Sequence, residues 1–430
     1  MTTTTTTTPS ATALRATRAY VRRSRIYGVI FIAIALAMYW LFAVGVDPTS
    51  VSTYTLNLGP VPAEQRLPDW VVPSYTTVTF LTMLTVAMGA YQLVRGFGRA
   101  TTVMLGLILV FFVFSFLTWA TRDQSINLVG MLKTMVQRAV PLTIGALSGV
   151  LCERAGVVNI AIEGMFLSGA MFGSLVGSVT DSLWIGLLAS ILAGAFLATI
   201  HAVLSIHYMV DQIVSGAVIN IFSVGITSFI SSKFLQAFQE LNNPGIFKPF
   251  ALPVLGKIPI IGPIFFEGNI FLFGMYILLI VVHVALFYTR WGLRTRAVGE
   301  HPRAADTLGI NVFRTRYVAV ILGGAVAGFG GAYFTLGSVG RFDELMTAGR
   351  GFISLAAMIF GKWMPFGAFG ASLIFGFAES LQGKLSILKI PIPSQFLLMA
   401  PYIATMIALA GLIGRAVPPA ADGKPYSKDQ

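Results

Sequence analysis

Two polar stretches interrupt a chain that is otherwise largely apolar. The first, Glu153 to Gly164, reads ERAGVVNIAIEG and places Asn159 and Glu163 inside an apolar segment at a spacing of four. That spacing aligns the two side chains on one helical face. At 1.5 Å per residue, Glu163 lies about 9 Å in from Val157, within a half-bilayer of roughly 15 Å. A carboxylate there costs about 2.5 to 3.5 kcal/mol if it faces lipid, so it is expected to face protein or water. Two roles are open for Asn159 and Glu163: a polar patch on a translocation path, or a structural clasp between helices. Lys133 and Arg138, on the preceding helix, are candidate partners. Asp211 and Gln212, before a later apolar run, read as a helix start at the interface.

The second stretch, Arg296 to Asn311, reads RAVGEHPRAADTLGIN in a loop rich in arginine. Pro302 suits a first helical position and Gly309 the residue just past a helix end, which predicts about two turns of helix between them. Ala304, Ala305 and Leu308 then share one face, with Arg303, Asp306 and Thr307 pointing elsewhere. Such a helix either docks in a groove on a partner or lies flat on anionic lipid.

Other chemistry lacks its residues. His201, His207, His283 and His301 form no H-E-x-x-H, and there is no G-x-S-x-G elbow. Gly361-Lys362 and Gly383-Lys384 lack the upstream glycine and the following Ser or Thr of a phosphate-binding loop, so ATP, if used, is bound by another polypeptide. The single cysteine, Cys152, forms no internal disulfide and belongs to no thiolate cluster.

The elements that must hold these residues are membrane spans. The 430 residues are 56% hydrophobic and 11% charged, against roughly 45 to 50% and about 25% in a soluble domain, which excludes a soluble globule. Apolar runs fall near residues 27 to 46, 75 to 94, 100 to 119, 127 to 150, 157 to 179, 183 to 206, 212 to 232, 269 to 289, 317 to 338, 350 to 362, 365 to 382 and 394 to 414. The expected fold is all-α: a polytopic integral membrane helix bundle of about twelve transmembrane helices. The run at 350 to 362 is short for a span and could form a re-entrant pair with the next.

Arginines 15, 18, 22, 23 and 25 crowd the first run, and the 290 to 316 loop gathers six more, so the positive-inside rule places both termini in the cytoplasm. The same rule accounts for the net charge of +12 without nucleic acid. The organisation read from this is a disordered basic tail (1–26), three N-terminal spans (27–126), a core (127–414) and a cytoplasmic tail (415–430). Within the core, the proline-rich 233–268 segment reads as an external cap and 290–316 as a cytoplasmic loop. Gly169, Gly173 and Gly177, and Gly324 with Gly328, suit close helix packing or a mobile interface. No internal repeat is evident.

At these two polar stretches the chain resembles the permease subunits of ATP-binding cassette importers of the branched-chain amino acid, ribose and nucleoside permease family. ERAGVVNIAIEG is similar to the family's ERxGxxNIGxEG signature, with Ala161 where glycine is usual. RAVGEHPRAADTLGIN resembles its R-A-V-G-E-N-P-x-A-A-x-x-x-G-I coupling segment, with His301 in place of Asn. TAGRGFISLAAMIFGKW (347–363) and DQIVSG (211–216) resemble further blocks of the nucleoside branch. The likeness covers about 127 to 414 and leaves the three N-terminal spans outside.

The resemblance implies a non-enzymatic subunit, in a prokaryotic cell (inner) membrane, that forms the pathway for nucleosides or a related small solute. It implies coupling to a cytoplasmic ATPase through Gly299, Glu300, Pro302, Arg303, Ala304, Ala305, Leu308 and Gly309. ATP and Mg belong to that partner, and this chain needs no cofactor of its own. A second homologous permease and an extracytoplasmic substrate-binding lipoprotein complete the expected complex, in contact with membrane lipid. The alternative is an ion-coupled secondary transporter with Glu163 as proton carrier.

Overall fold

A computed structural model describes residues 11–59, 66–388, 393, 395–396, 398–399, 402–403 and 417–428, with side chains from Ser24 onward. Two compact units divide it: the described parts of Met1–Val129 with Lys384–Pro391, and of Gly130–Gly383 with Ile392–Gln430.

The first unit runs in the order α1 (Ala11–Phe42), β1 (Val51–Thr55), β2 (Trp70–Pro73), α2 (Ser74–Val94), α3 (Thr101–Ala120) and β3 (Ser125–Asn127), so residues 11–26 of the tail expected to be disordered are helical. The strands form a small sheet in the order β2-β1-β3, antiparallel on one side and parallel on the other. This small sheet is a local addition to an otherwise helical architecture. The Val, Tyr, Thr and Trp content of β1 and β2 suits pleated backbone, and the buried Tyr54 hydroxyl bonds the Thr118 hydroxyl at 2.8 Å, tying β1 to α3. Phe31, Met38, Phe42 and Val78 fill the gaps between the helices.

The second unit holds α4 (Leu128–Glu153), α5 (Ile162–Val179), α6 (Leu183–Ala202), α7 (Gln212–Ile230), the short α8 (Ile261–Phe265), α9 (Ile270–Tyr288), α10 (Arg290–Glu300), α11 (Pro302–Thr307), α12 (Val312–Phe334), α13 (Arg350–Phe360) and α14 (Pro365–Ile387). Helices α6, α7 and α12 each run on into a wider π-type turn. Asp211 starts α7 as an N-cap, accepting from the amides of Ile213 and Val214. The 233–268 region forms short turns and a two-residue strand pair, Phe250–Ala251 with Glu267–Gly268, because its prolines interrupt helix.

Packing in this unit is closest where α5, α6 and α12 cross. A Cβ at Gly328 would lie 2.2 Å from the Ser190 carbonyl oxygen, and one at Gly194 would lie 2.3 Å from that of Gly324. Backbones approach this closely only where side chains are missing.

Nine helices among the described residues are long and apolar enough to cross a membrane, where the sequence suggested about twelve. The predicted run at 394 to 414 lies mostly outside the described residues. Helix α13 has 11 residues and rises about 16 Å, half the hydrocarbon thickness. Helix α14 has the length of a span at 23 residues, but Glu379, Gln382 and Lys384 dilute its apolar character.

Candidate functional site

The segment after α4 does not continue as helix. Gly156, at φ +82°, turns the chain, and residues 157–161 are not helical before α5 begins at Ile162. This corrects the sequence reading: Asn159 and Glu163 do not share a helical face, and a helical rise from Val157 does not set the depth of Glu163. Unwound backbone buried in an apolar setting needs partners for its polar groups. Three side chains supply them. Gln212 accepts from the Val158 amide at 2.7 Å, and His201 Nε2 pairs with the Val158 carbonyl at 2.9 Å. Asn220 donates to the Ile160 carbonyl and accepts from the Gly164 amide. Asn159 is fully buried, its Oδ1 accepting from the Ala161 amide and its Nδ2 lying against the sulfurs of Cys152 and Met165. The roles of His201 and Asn220 were missed from sequence, where the two sit in separate apolar runs with no motif joining them.

Glu163, in the first turn of α5, is also buried. Its carboxylate accepts from the Thr347 hydroxyl at 2.6 Å, the Gly349 amide at 2.8 Å and the Gly351 amide at 2.6 Å. The amides belong to the approach and first turn of α13, whose orphan donors an anion satisfies. The basic candidates pair elsewhere: Lys133 with Glu267 at 2.8 Å, and Arg138 with Glu379 at 3.9 Å.

At the other end of α13, the turn 361–364 carries Lys362 and Trp363 at positive φ. The Trp363 indole donates to the Glu153 carboxylate, and Arg154 donates to the Trp363 carbonyl at 3.0 Å. Burial lowers the Arg154 pKa, with Glu300 opposing that shift and Arg296 adding to it. Glu153 and Arg154 thus fasten α4 to the α13–α14 turn.

The basic loop contains two helices. In α10, which the sequence reading did not separate from the loop, the Thr289 hydroxyl caps the start and Arg296 donates to the Leu286 carbonyl while lying over the Phe287 ring. Gly299 sits so close to the Arg154 carbonyl oxygen that a Cβ would be 2.3 Å from it. Helix α11 has its predicted ends: Pro302 at the first turn, His301 Nδ1 accepting from the Ala304 amide, and Gly309 at φ +79° beyond the last turn. Histidine can therefore cap here as asparagine does.

The faces of α11 differ from expectation. Ala305 is buried among Val298, Val312 and Tyr426, whereas Leu308 is 82% exposed. Ala304, Ala305 and Leu308 do not form one outward face. The outward residues are Arg303, Ala304, Thr307 and Leu308, with Pro302 partly covered.

What covers Ala305 is the segment 417–428, read from sequence only as part of a cytoplasmic tail. The Ala421 amide donates to the Gly299 carbonyl at 2.9 Å, the Ala420 amide to the exposed Glu300 at 3.2 Å, and Arg316 donates to the Lys424 carbonyl at 3.1 Å. Tyr426 packs on Phe313 with ring centroids 5.6 Å apart. Burial pushes the Asp422 carboxyl up to about 6, against a hydrogen bond with Glu153, the Gly423 amide and the charge of Arg316. The lone aromatic in this polar tail was its one legible signal.

Residues 130–414 match the family described as branched-chain amino acid transport system permease component. The chain is 44% identical over 301 residues to NupQ of Bacillus subtilis, a guanosine ABC transporter permease protein, covering 67% of this chain and 94% of that one. It is 41% identical over 321 residues to the nucleoside ABC transporter permease protein NupC of Lactococcus lactis, covering 71% and 100%. It is also 35% identical over 257 residues to a putative glucose ABC transporter permease protein, TsgC13, of Haloferax volcanii, covering 59% and 77%. No solved structure matches. The match begins where the second compact unit begins, and it takes in the unwound segment, the Glu163 contacts and the basic loop. The chain belongs to the permease-component family of branched-chain amino acid transport systems.

Proposed function

We propose that this chain is the permease subunit of an ABC importer for nucleosides, with both termini and the basic loop in the cytoplasm. The observation that carries the reading is the state of α11. Its inner face is held by Val298, Val312 and Tyr426 while Leu308 stands out into solvent. A short helix braced on one side and presenting an exposed leucine on the other is suited to transmit the motion of a docked ATPase to α10 and α12. Gly299, Glu300, Pro302 and Gly309 set its position, while Arg303, Ala304 and Leu308 meet the partner. ATP and Mg are bound by that ATPase, a second homologous permease completes the pathway, and an extracytoplasmic lipoprotein delivers the solute.

Nucleosides are favoured over sugars by the names and coverage of NupQ and NupC relative to TsgC13. In this reading Asn159 and Glu163 are structural: Asn159 shapes the unwound turn, and Glu163 clasps α5 to α13. The test is uptake of labelled nucleosides into cells carrying the complete complex. Uptake that survives dissipation of ion gradients and stops on ATP depletion is the expected result. Uptake that follows the proton gradient and is lost in Glu163→Gln would replace it with the ion-coupled carrier.

A further inference from the structure

Helix α4 is the most deeply buried of the nine candidate spans, yet Gln137 and Arg138 are exposed on it. Arg138 lies about 15 Å along the helix from Leu128, near mid-membrane if α4 spans. A guanidinium at that depth is costly against lipid, so this face meets water or protein. Its surroundings are polar as well. Pro141 removes an amide from α4 and frees the Gln137 carbonyl, which accepts the Tyr333 hydroxyl at 2.9 Å. Glu379 is held more closely by Arg350, at 3.3 Å, than by Arg138, at 3.9 Å. Arg350 also lies over the Phe334 ring. Two cations therefore share one carboxylate, and the Arg138 side chain remains 51% exposed.

We propose that this patch, formed by α4, α12, α13 and α14, is a solute-contact site of the translocation path, at which Arg138 reads the base edge of a 6-oxopurine nucleoside. The inference rests on the nucleoside reading above. A guanidinium presents paired donors to the adjacent O6 and N7 acceptors of such a base, a geometry that uracil, whose N3–H separates its two carbonyls, does not offer and a lysine cannot match. Gln137 supplies a further donor and acceptor beside it. The site is weak by construction, because Glu379 competes for the same donors, and a transit site must release its solute.

The test reconstitutes the complete importer in proteoliposomes with saturating binding protein and compares ATP-driven uptake of guanosine and uridine. Arg138→Gln is expected to lower guanosine uptake about tenfold or more, with uridine uptake and ATP hydrolysis within about twofold of wild type. If that variant does not accumulate, Arg138→Lys decides: selective loss of guanosine uptake supports the site, and unchanged selectivity overturns it. Equal loss of both solutes overturns it, as does loss of the second permease from the purified variant complex, which would make the patch a subunit contact. A wild-type complex that transports no nucleoside overturns the nucleoside reading and this inference together. Wild-type nucleoside uptake with unchanged variant selectivity overturns the inference alone.

Discussion

Glu163 Oε2 accepts the backbone amide of Gly351 at 2.6 Å, and a Cβ at position 351 would lie 2.5 Å from the Glu163 Cα. The carboxylate and the glycine thus fit as a pair, holding the first turn of α5 against the first turn of α13. Glu163→Gln turns one acceptor oxygen into a donor that faces another donor. Leaving a buried polar group unsatisfied costs about 1 to 3 kcal/mol. We expect a lower unfolding midpoint in detergent and near-normal ATP-driven uptake per folded complex. An unchanged midpoint with abolished uptake would instead give Glu163 a direct part in transport.

On the proposed reading, the two faces of α11 separate docking from bracing. Leu308→Asp alters a side chain that touches solvent, so the protein should accumulate and melt normally while uptake falls at least about tenfold through loss of the partner contact. Ala305→Arg must displace Val298, Val312 and Tyr426, so it should lose both uptake and stability. The measurements are uptake together with the ATPase recovered on affinity purification. Full recovery of ATPase and normal uptake with Leu308→Asp would remove α11 from the coupling role.

Most of this architecture was legible because long apolar runs and end signals are local. Pro302 and Gly309 bound α11, and Asp211 caps α7, because capping depends on residues adjacent in sequence. The unwound stretch at 157–161 was not legible. Its apolar residues satisfy a helical pattern equally well, and the groups that hold it open, His201, Gln212 and Asn220, arrive from other helices. The same reason hid the role of residues 417–428, whose partners Gly299 and Arg316 are far away in sequence. The outward face of α11 was misjudged because a six-residue helix can turn either side to a neighbour, and Tyr426 decides which.

The crossing of α6 and α12 at Gly328 distinguishes tight packing from a sliding interface. With 2.2 Å between a Cβ at 328 and the Ser190 carbonyl oxygen, Gly328→Ala forces the helices apart. Overpacking of this kind costs about 1 to 3 kcal/mol. Reduced accumulation in the membrane and a lower unfolding midpoint are expected. Normal stability with a changed transport rate would show that the crossing already opens during the cycle.

The raised Asp422 carboxyl is expected to make docking of the C-terminal segment depend on pH. Its carboxyl is pushed up to about 6 by burial, above the usual 3.8, so at neutral pH the docked tail holds a buried charge that the released tail would hydrate. As pH falls through about 6 the docked form takes up a proton that the released form takes up only near 3.8. Docking is therefore strengthened between about pH 7 and pH 4, and this added stability is lost as pH rises through 6. A nitroxide on Lys428→Cys reports it, because position 428 is exposed and the native Cys152 is buried. The label should become less mobile from pH 7.5 to pH 5.5, and Asp422→Asn should flatten that response at the low-mobility end. Mobility that rises on acidification, or that stays constant with Asp422 present, would mean that this carboxyl does not control the tail.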